Sequence, residues 1–229
     1  TDGPMALHFR ALALPAAFGM LFATLYNIVD VYYAGLLSTD AQAGLAIGYQ
    51  AIFILMALGF GLSSALSALV SNAKGSGDKQ QTQRFIAQGL TFSVIITATS
   101  MMLGWILGPK LIELVSEPGS YRNAALGYFE CLIFALPGFL IAYGGNGILQ
   151  AHGDSRSMQR ALMLAFVANI GLNPLLMFGL PTIWSGMGFN GIAAATIVSQ
   201  TGVMVYIALR IFQLKIMQAV QRSAFRPIK

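Results

Sequence analysis

The sequence predicts an all-α bundle of six membrane-spanning helices. Three observations predict it: an apolar composition, six long hydrophobic stretches, and a one-sided distribution of basic residues. Of the 229 residues, 56% are hydrophobic and only 9% are charged, whereas a soluble domain carries about 25% charged residues. The mean hydropathy is +0.70. Such a chain cannot cover a water-facing surface and takes lipid as its solvent.

A spanning helix needs about 20 mostly apolar residues. Six stretches qualify, at 11–36, 42–70, 84–108, 123–150, 158–180 and 191–214. Polar or turn-forming segments separate them. Ser38-Thr39-Asp40 is a short turn, and Asn72 to Lys79 is a Gly- and Lys-containing loop. Pro109 to Arg122 contains Lys110, Glu113, Glu117 and Pro118, and Ala151 to Arg156 is another polar break. Pro181 to Asn190 holds Trp184, a residue type that favours the membrane interface. The first apolar run is too long for a signal-peptide core, so no cleaved leader is expected. The six spans form one unit, 1–214, and the basic tail 215–229 reads as a cytoplasmic linker or surface helix.

Basic residues mark the cytoplasmic side of a membrane. Arg10, Lys74, Lys79, Arg84, Arg156, Arg160, Arg210, Lys215, Arg222, Arg226 and Lys229 all fall on one side of the predicted bundle. The other side holds only Lys110 and Arg122. Both termini are therefore expected in the cytoplasm of a cell whose inner (plasma) membrane holds the protein, as an even number of spans requires. The net charge of +5 is spread singly between apolar stretches, so it speaks for topology and against a nucleic-acid partner. The single cysteine, Cys131, allows neither an internal disulfide nor a cysteine metal cluster. There is no HExxH, no CxxC and no pair of aspartates, and both histidines fall at the cytoplasmic face. An enzyme is not expected, and neither is a resident cofactor.

Polar groups inside a bilayer are costly and ask for a reason. Two carboxylates fall within spans: Asp30 in the first and Glu130 in the fourth. Neither has a Lys or Arg at comparable depth. Asp30 is a candidate cation or proton site, or else a helix-to-helix hydrogen-bonding group, and Tyr26 lies one turn earlier on its face. Glu130 is a possible secondary acidic site, although it lies near a helix end where water is within reach. Asn169 and Asn173 in the fifth span share a face at i, i+4. Their carbonyl oxygens suit sodium ligation or a hydrogen bond to a carboxylate, and equally suit interhelical packing. Asn146 and Thr196 are further small polar candidates, while Gln50 and Gln200 read as buried without a role. Pro15, Pro137 and Pro174 fall within spans and tend to kink them. Pro15 is the candidate hinge, because a bend in the first span would move Asp30.

Several segments, taken in order, carry a resemblance. They are Leu14-Pro15, Tyr26 to Asp30 and Ala34-Gly35; Val70 to Asp78; Gln150 to Arg156; Asn169 to Pro174; and Gly188 to Thr196. In that order and spacing the chain resembles the N-terminal half of the multidrug and toxic compound extrusion (MATE) family. The resemblance implies two six-helix lobes around a central cavity and export of organic cations or amphiphilic drugs by alternating access. Inward flow of protons or sodium would drive it. It implies Asp30 as the coupling-ion residue, with Tyr26, Asn146, Asn169, Asn173 and Thr196 as its partners, and places sodium, where sodium is used, at Asp30, Asn169 and Asn173. Some family members have an aspartate where this chain has Asn173, which leaves Asp30 the only acid of the cluster. Family chains have about twelve spans, so the expected partner is a second six-helix lobe, either a C-terminal half or a parallel second copy. Two other readings stand beside export: a flippase for lipid-linked substrates, which would need basic residues in its cavity, and a non-transporting membrane assembly subunit.

Overall fold

The computed structural model describes residues 5–180 and 183–216, with side chains from residue 17 onward. Among the described residues seven α-helices follow one another: α1 (Met5–Leu37), α2 (Thr39–Gly75), α3 (Lys79–Val115), α4 (Ser120–Leu132), α5 (Leu136–Ala151), α6 (Ser157–Phe178) and α7 (Asn190–Gln213). Six helical segments among the described residues are long and apolar enough to cross a membrane. The chain is thus an all-helical, multi-pass membrane protein.

Three details depart from the sequence reading. The fourth span is two helices, α4 and α5, joined by a 3-10 turn at Ile133–Ala135. Pro137 sits in the first turn of α5, where its missing N–H breaks no helical bond. It therefore begins a helix instead of kinking one. Second, α2 and α3 have 37 residues each, about 55 Å at the α-helical rise, well beyond the roughly 30 Å of a hydrocarbon core. They run into segments expected to be loops. Lys110 and Glu113 belong to α3, which continues past Pro109. Third, Gln50 is exposed, not buried. The hinge expected at Pro15 and the tail beyond Ile216 lie outside the described side chains and residues.

Helical periodicity sets the buried faces. In α6 the buried stripe is Met158, Ala161, Ala165, Asn169, Asn173 and Met177. In α7 it runs through Ile192, Thr196, Ser199, Val203, Ile207 and Ile211. α2 and α5 form the centre: α2 packs on α3, α4 and α5, and α5 also packs on α7, while α1 lies against α6 and α2. Lipid gives no hydrophobic drive between helices, so close backbone approach and polar contacts hold them together. Glycines permit that approach. A Cβ at Gly138 would sit 2.7 Å from the backbone carbonyl carbon of Gln200 on α7, and one at Gly147 would collide with the carbonyl oxygen of Ser63 on α2.

One end of the bundle collects the basic connections. Lys74, Lys79, Lys215 and His152 line a single surface pocket there. Asp154 accepts hydrogen bonds from the Ser157 backbone N–H (3.0 Å) and hydroxyl (2.6 Å), capping the start of α6. Its other tie is an ion pair with Arg210 at the end of α7, 3.0 Å away. Arg210 also donates to Ser157 Oγ at 3.0 Å. Partial burial pushes the Asp154 carboxyl up, but the hydrogen bonds from Ser157 and Arg210 and the Arg210 charge outweigh it and hold the group below the usual carboxylate range. At the opposite end, Arg122 donates to the carbonyl oxygens of Glu113 and Ser116.

Two stability tests follow from this packing. Gly138→Ala, which has to push α5 from α7, is expected to lower unfolding free energy by about 1–3 kcal/mol, seen as a lower midpoint of thermal unfolding in detergent. Asp154→Ala removes a cap and an ion pair and is expected to cost about 1–2 kcal/mol at neutral pH. Because the folded carboxyl titrates below its ordinary value of about 4, its stabilisation is fully present above that value. It is lost as pH falls through the folded one. The midpoint difference between wild type and variant should therefore shrink in acid; a difference independent of pH would refute the ion-pair account.

Candidate functional site

Asp30 lies two turns before the end of α1 and is 3% exposed. Its partners come from α6 and α7. Asn173 Nδ2 donates to Asp30 Oδ1 at 2.8 Å and to Asn169 Oδ1 at 3.1 Å. Thr196 Oγ1 lies 3.4 Å from Asp30 Oδ2, a long contact, and donates at 3.1 Å to the Ile192 carbonyl one turn back. The two asparagines are fully buried. The i, i+4 spacing read in the sequence does place both amides on one face, and that face meets the carboxylate. Tyr26, one turn before Asp30, hydrogen-bonds the Ser199 hydroxyl at 2.8 Å, and Ser199 donates to the Ala195 carbonyl. No Lys or Arg side chain among the described residues bonds to Asp30.

Two polar atoms of the cluster remain open. Asn173 Oδ1 and Asn169 Nδ2 are buried without a hydrogen-bond partner. An unmet acceptor beside a carboxylate suits a cation, because oxygens of both groups can ligate it. A proton on Asp30 instead turns the group into a donor and cancels the charge. The arrangement is chemically compatible with either a metal cation or a proton at Asp30. Among the described residues no group of three or more His, Cys, Asp or Glu gathers for a metal, so an ion here would be held by one acid and neutral oxygens.

The cluster opens onto a cavity of about 400 Å³ bounded by α1, α2, α4, α5, α6 and α7. Asp30, Tyr26, Asn27, Tyr49, Thr196 and Gln200 supply its polar lining, and Met56, Phe60, Phe139 and Leu162 much of its apolar lining. Asn27 donates to the Tyr49 hydroxyl at 3.1 Å. Tyr49, Tyr128 and Ser199 are site residues that the sequence reading missed. A signal existed for Ser199, which follows Thr196 at i+3, but a tyrosine in an apolar span gives no sign of which cavity it borders. Gln200, which read as buried without a role, lines this cavity.

Two expected participants are elsewhere. Asn146 does not hydrogen-bond to the cluster: it donates to Ser63 Oγ at 3.2 Å and borders a separate cavity. Its position in the last part of α5 carries it towards the basic end, whereas Asp30 lies towards the other. Glu130 is exposed on α4 and lines neither cavity. It stands seven residues, or two turns, from exposed Asn123, on a helix face turned away from the site. A secondary acidic site there has no structural support.

Among the described residues, the multi-pass helical bundle places one buried acid beside a cavity. Comparison with known proteins gives the class. A model of the MatE family matches residues 15–175, and the chain belongs to that family. The probable multidrug resistance protein YoeA of Bacillus subtilis (strain 168) is 26% identical over 193 residues, covering 81% of this chain and 41% of that protein. A protein of Shewanella oneidensis named FAD transporter is 25% identical over 198 residues, covering 86% of this chain and 44% of its own length. Among solved structures, one described as MATE in the bent conformation superposes with a TM-score of 0.83 at 25% identity, covering 96% of this chain and 48% of that one. The chain spans about half the length of the relatives it matches.

The interhelical tie between α1 and α6 is open to measurement. In a double-mutant cycle of Asp30→Ala and Asn173→Leu, each of which removes the bond, thermal unfolding in detergent is expected to give a coupling energy of about 1–3 kcal/mol. A value near zero would show that the bond does not fasten the two helices.

Proposed function

We propose that this chain forms one lobe of a cation-coupled antiporter that exports organic cations or amphiphilic drugs by alternating access. The observation that carries the reading is the Asp30 carboxylate, buried without a basic partner, tied to α6 by an amide and open to a cavity lined by aromatic and apolar side chains. Membership of the MatE family and relatives named as multidrug resistance proteins support it. A charge in this setting is costly unless something compensates it. A cationic cargo, a sodium ion or a proton can each do so, and only one at a time. Competition for one carboxylate is the simplest form of exchange.

With Asp30 charged, the cavity attracts a cation, while Tyr49, Tyr128 and Phe60 offer aromatic faces to it. Sodium or a proton arriving at Asp30 removes that attraction. The Asp30–Asn173 and Tyr26–Ser199 contacts hold α1 to α6 and α7, so a change in charge at Asp30 also changes how α1 packs. Whether α1 then bends at Pro15 belongs to the same proposal. The facing wall of the cavity is a second six-helix lobe, from the rest of a longer chain or from a parallel copy. The basic end faces the cytoplasm of the cell, and the protein sits in its inner (plasma) membrane.

Neither cavity beside α1 has a Lys or Arg among its described lining residues. That weighs against a phosphate-bearing cargo such as a lipid-linked substrate. A non-transporting assembly subunit would have no use for a buried acid bordering a cavity.

The test is flux. Vesicles carrying the protein and a fluorescent organic cation should lose dye under an imposed proton or sodium gradient. Asp30→Asn should lower the gradient-driven rate at least tenfold while the protein keeps its helical content. Undiminished coupled efflux in the variant would overturn the reading.

A further inference from the structure

Beside the Asp30 cavity lies a second one of different chemistry. It encloses about 670 Å³ between α1, α2, α5 and α6. Ser63, Ser67 and Ser71 recur along α2 at every fourth residue and all line it, with Ser64 beside them. Opposite stand Asn146 and Gln150 of α5 and Gln159 of α6. Among the described residues, no charged side chain is in its lining. The two cavities share Met20, Ala23, Phe60, Tyr143 and Leu162, so they adjoin. Met20 precedes Asp30 by ten residues along α1, about 15 Å at the helical rise. Ser71, Gln150 and Met158 place the second cavity near the end that carries the basic connections.

Its acceptors are unmet. Asn146 is 5% exposed, and its amide is fixed from one side, because Nδ2 donates to Ser63 Oγ at 3.2 Å. That leaves Oδ1 buried with no partner, and Gln159 Oε1 is in the same condition. Two buried carbonyl oxygens without donors, on two residues that line one space, are unusual, since most buried polar atoms are paired; a small turn of either amide presents its oxygen to that space. Each costs free energy until a donor arrives. The serine hydroxyls can accept as well. Gly147 has a part in this: only a residue without a Cβ lets α5 approach the Ser63 carbonyl so closely, and that approach brings Asn146 to Ser63.

We infer that this cavity is a second, uncharged cargo subsite, which receives N–H donors of the cargo through Asn146 Oδ1 and Gln159 Oε1. The inference rests on the export reading and extends it. The acidic cluster recognises positive charge of any kind. The amide cavity recognises hydrogen-bond donors, so amidinium or primary and secondary ammonium groups gain from it, and fully substituted onium ions do not. Cargo that leaves the acidic cluster, or approaches it, passes a neutral station about three helical turns away along α1. A site built to bond a donor discriminates strongly against an analogue without one, because its own polar groups are then left unpaired.

Two organic cations, each compared with itself across the variants, separate these roles: pentamidine, a bis-amidinium rich in N–H groups, and tetraphenylphosphonium, which has none. Equilibrium binding of each is measured on the full protein in lipid nanodiscs, for wild type, Gln159→Met and Asn146→Leu. Gln159→Met is the milder change, near in shape and at a half-buried position, and keeps the test available if Asn146→Leu fails to fold. Pentamidine affinity is expected to fall about tenfold in each folded variant, the worth of one lost hydrogen bond to a charged donor, with tetraphenylphosphonium affinity unchanged. Equal loss for both ions, or no loss for pentamidine, would overturn the subsite; with the wild type still binding both ions, the export reading would stand. If the wild type bound neither ion, both would fall together.

Discussion

The hydrogen bond from Asn173 to Asp30 is the contact on which the rest of the lobe depends. α1 packs chiefly along α6 and α2, and its outward face is apolar, with Leu21, Ile28 and Tyr32 exposed. In lipid such a helix gains little from burying more hydrocarbon. What fixes its depth and rotation are polar contacts that have no alternative in a bilayer. Asp30 to Asn173, Tyr26 to Ser199 and Tyr33 to the Ile170 carbonyl all point the same way, from α1 to α6 and α7. The group that a coupling ion would neutralise is therefore also a fastener of the helix that borders both cavities. Chemistry and mechanics meet in one carboxylate.

The two cavities divide recognition along α1. One is acidic and aromatic, the other neutral and rich in amide and hydroxyl oxygens. On the proposed export reading, together they would form a path with a charge-selective station and a donor-selective one. Tyr143 and Phe60, whose rings meet edge-on at 4.7 Å, stand on the boundary between them. The central pair α2–α5 supplies the walls of both, and the close approach at Gly147 and Gly138 keeps those walls together.

At the basic end, the Asp154–Arg210 pair joins the α5–α6 connection to the end of α7. It lies outside the apolar spans, where water competes and each contact is modest. Its value is geometric: it sets where α6 begins, and α6 carries Asn169 and Asn173 three to four turns further on. A cap at one end of a helix thus positions the amides near the other.

The sequence by itself determined the class and the acid. Six apolar stretches leave a polypeptide no option but helices across lipid, since backbone groups must be paired internally there. Asp30, Asn169 and Asn173 were legible because polar residues in such stretches are conspicuous and because i, i+4 spacing guarantees a shared face. Only the tertiary structure decided which faces meet. It brought Asn173 and Thr196 to Asp30, took Asn146 away to Ser63 and left Glu130 exposed. It also broke the fourth span at a 3-10 turn and ran α2 and α3 far past their apolar cores. Helical periodicity fixes the angle of a side chain around its own axis, but not the rotation and depth of one helix against another. Those follow from glycine contacts and interhelical hydrogen bonds between residues as much as 173 positions apart, which no local pattern records.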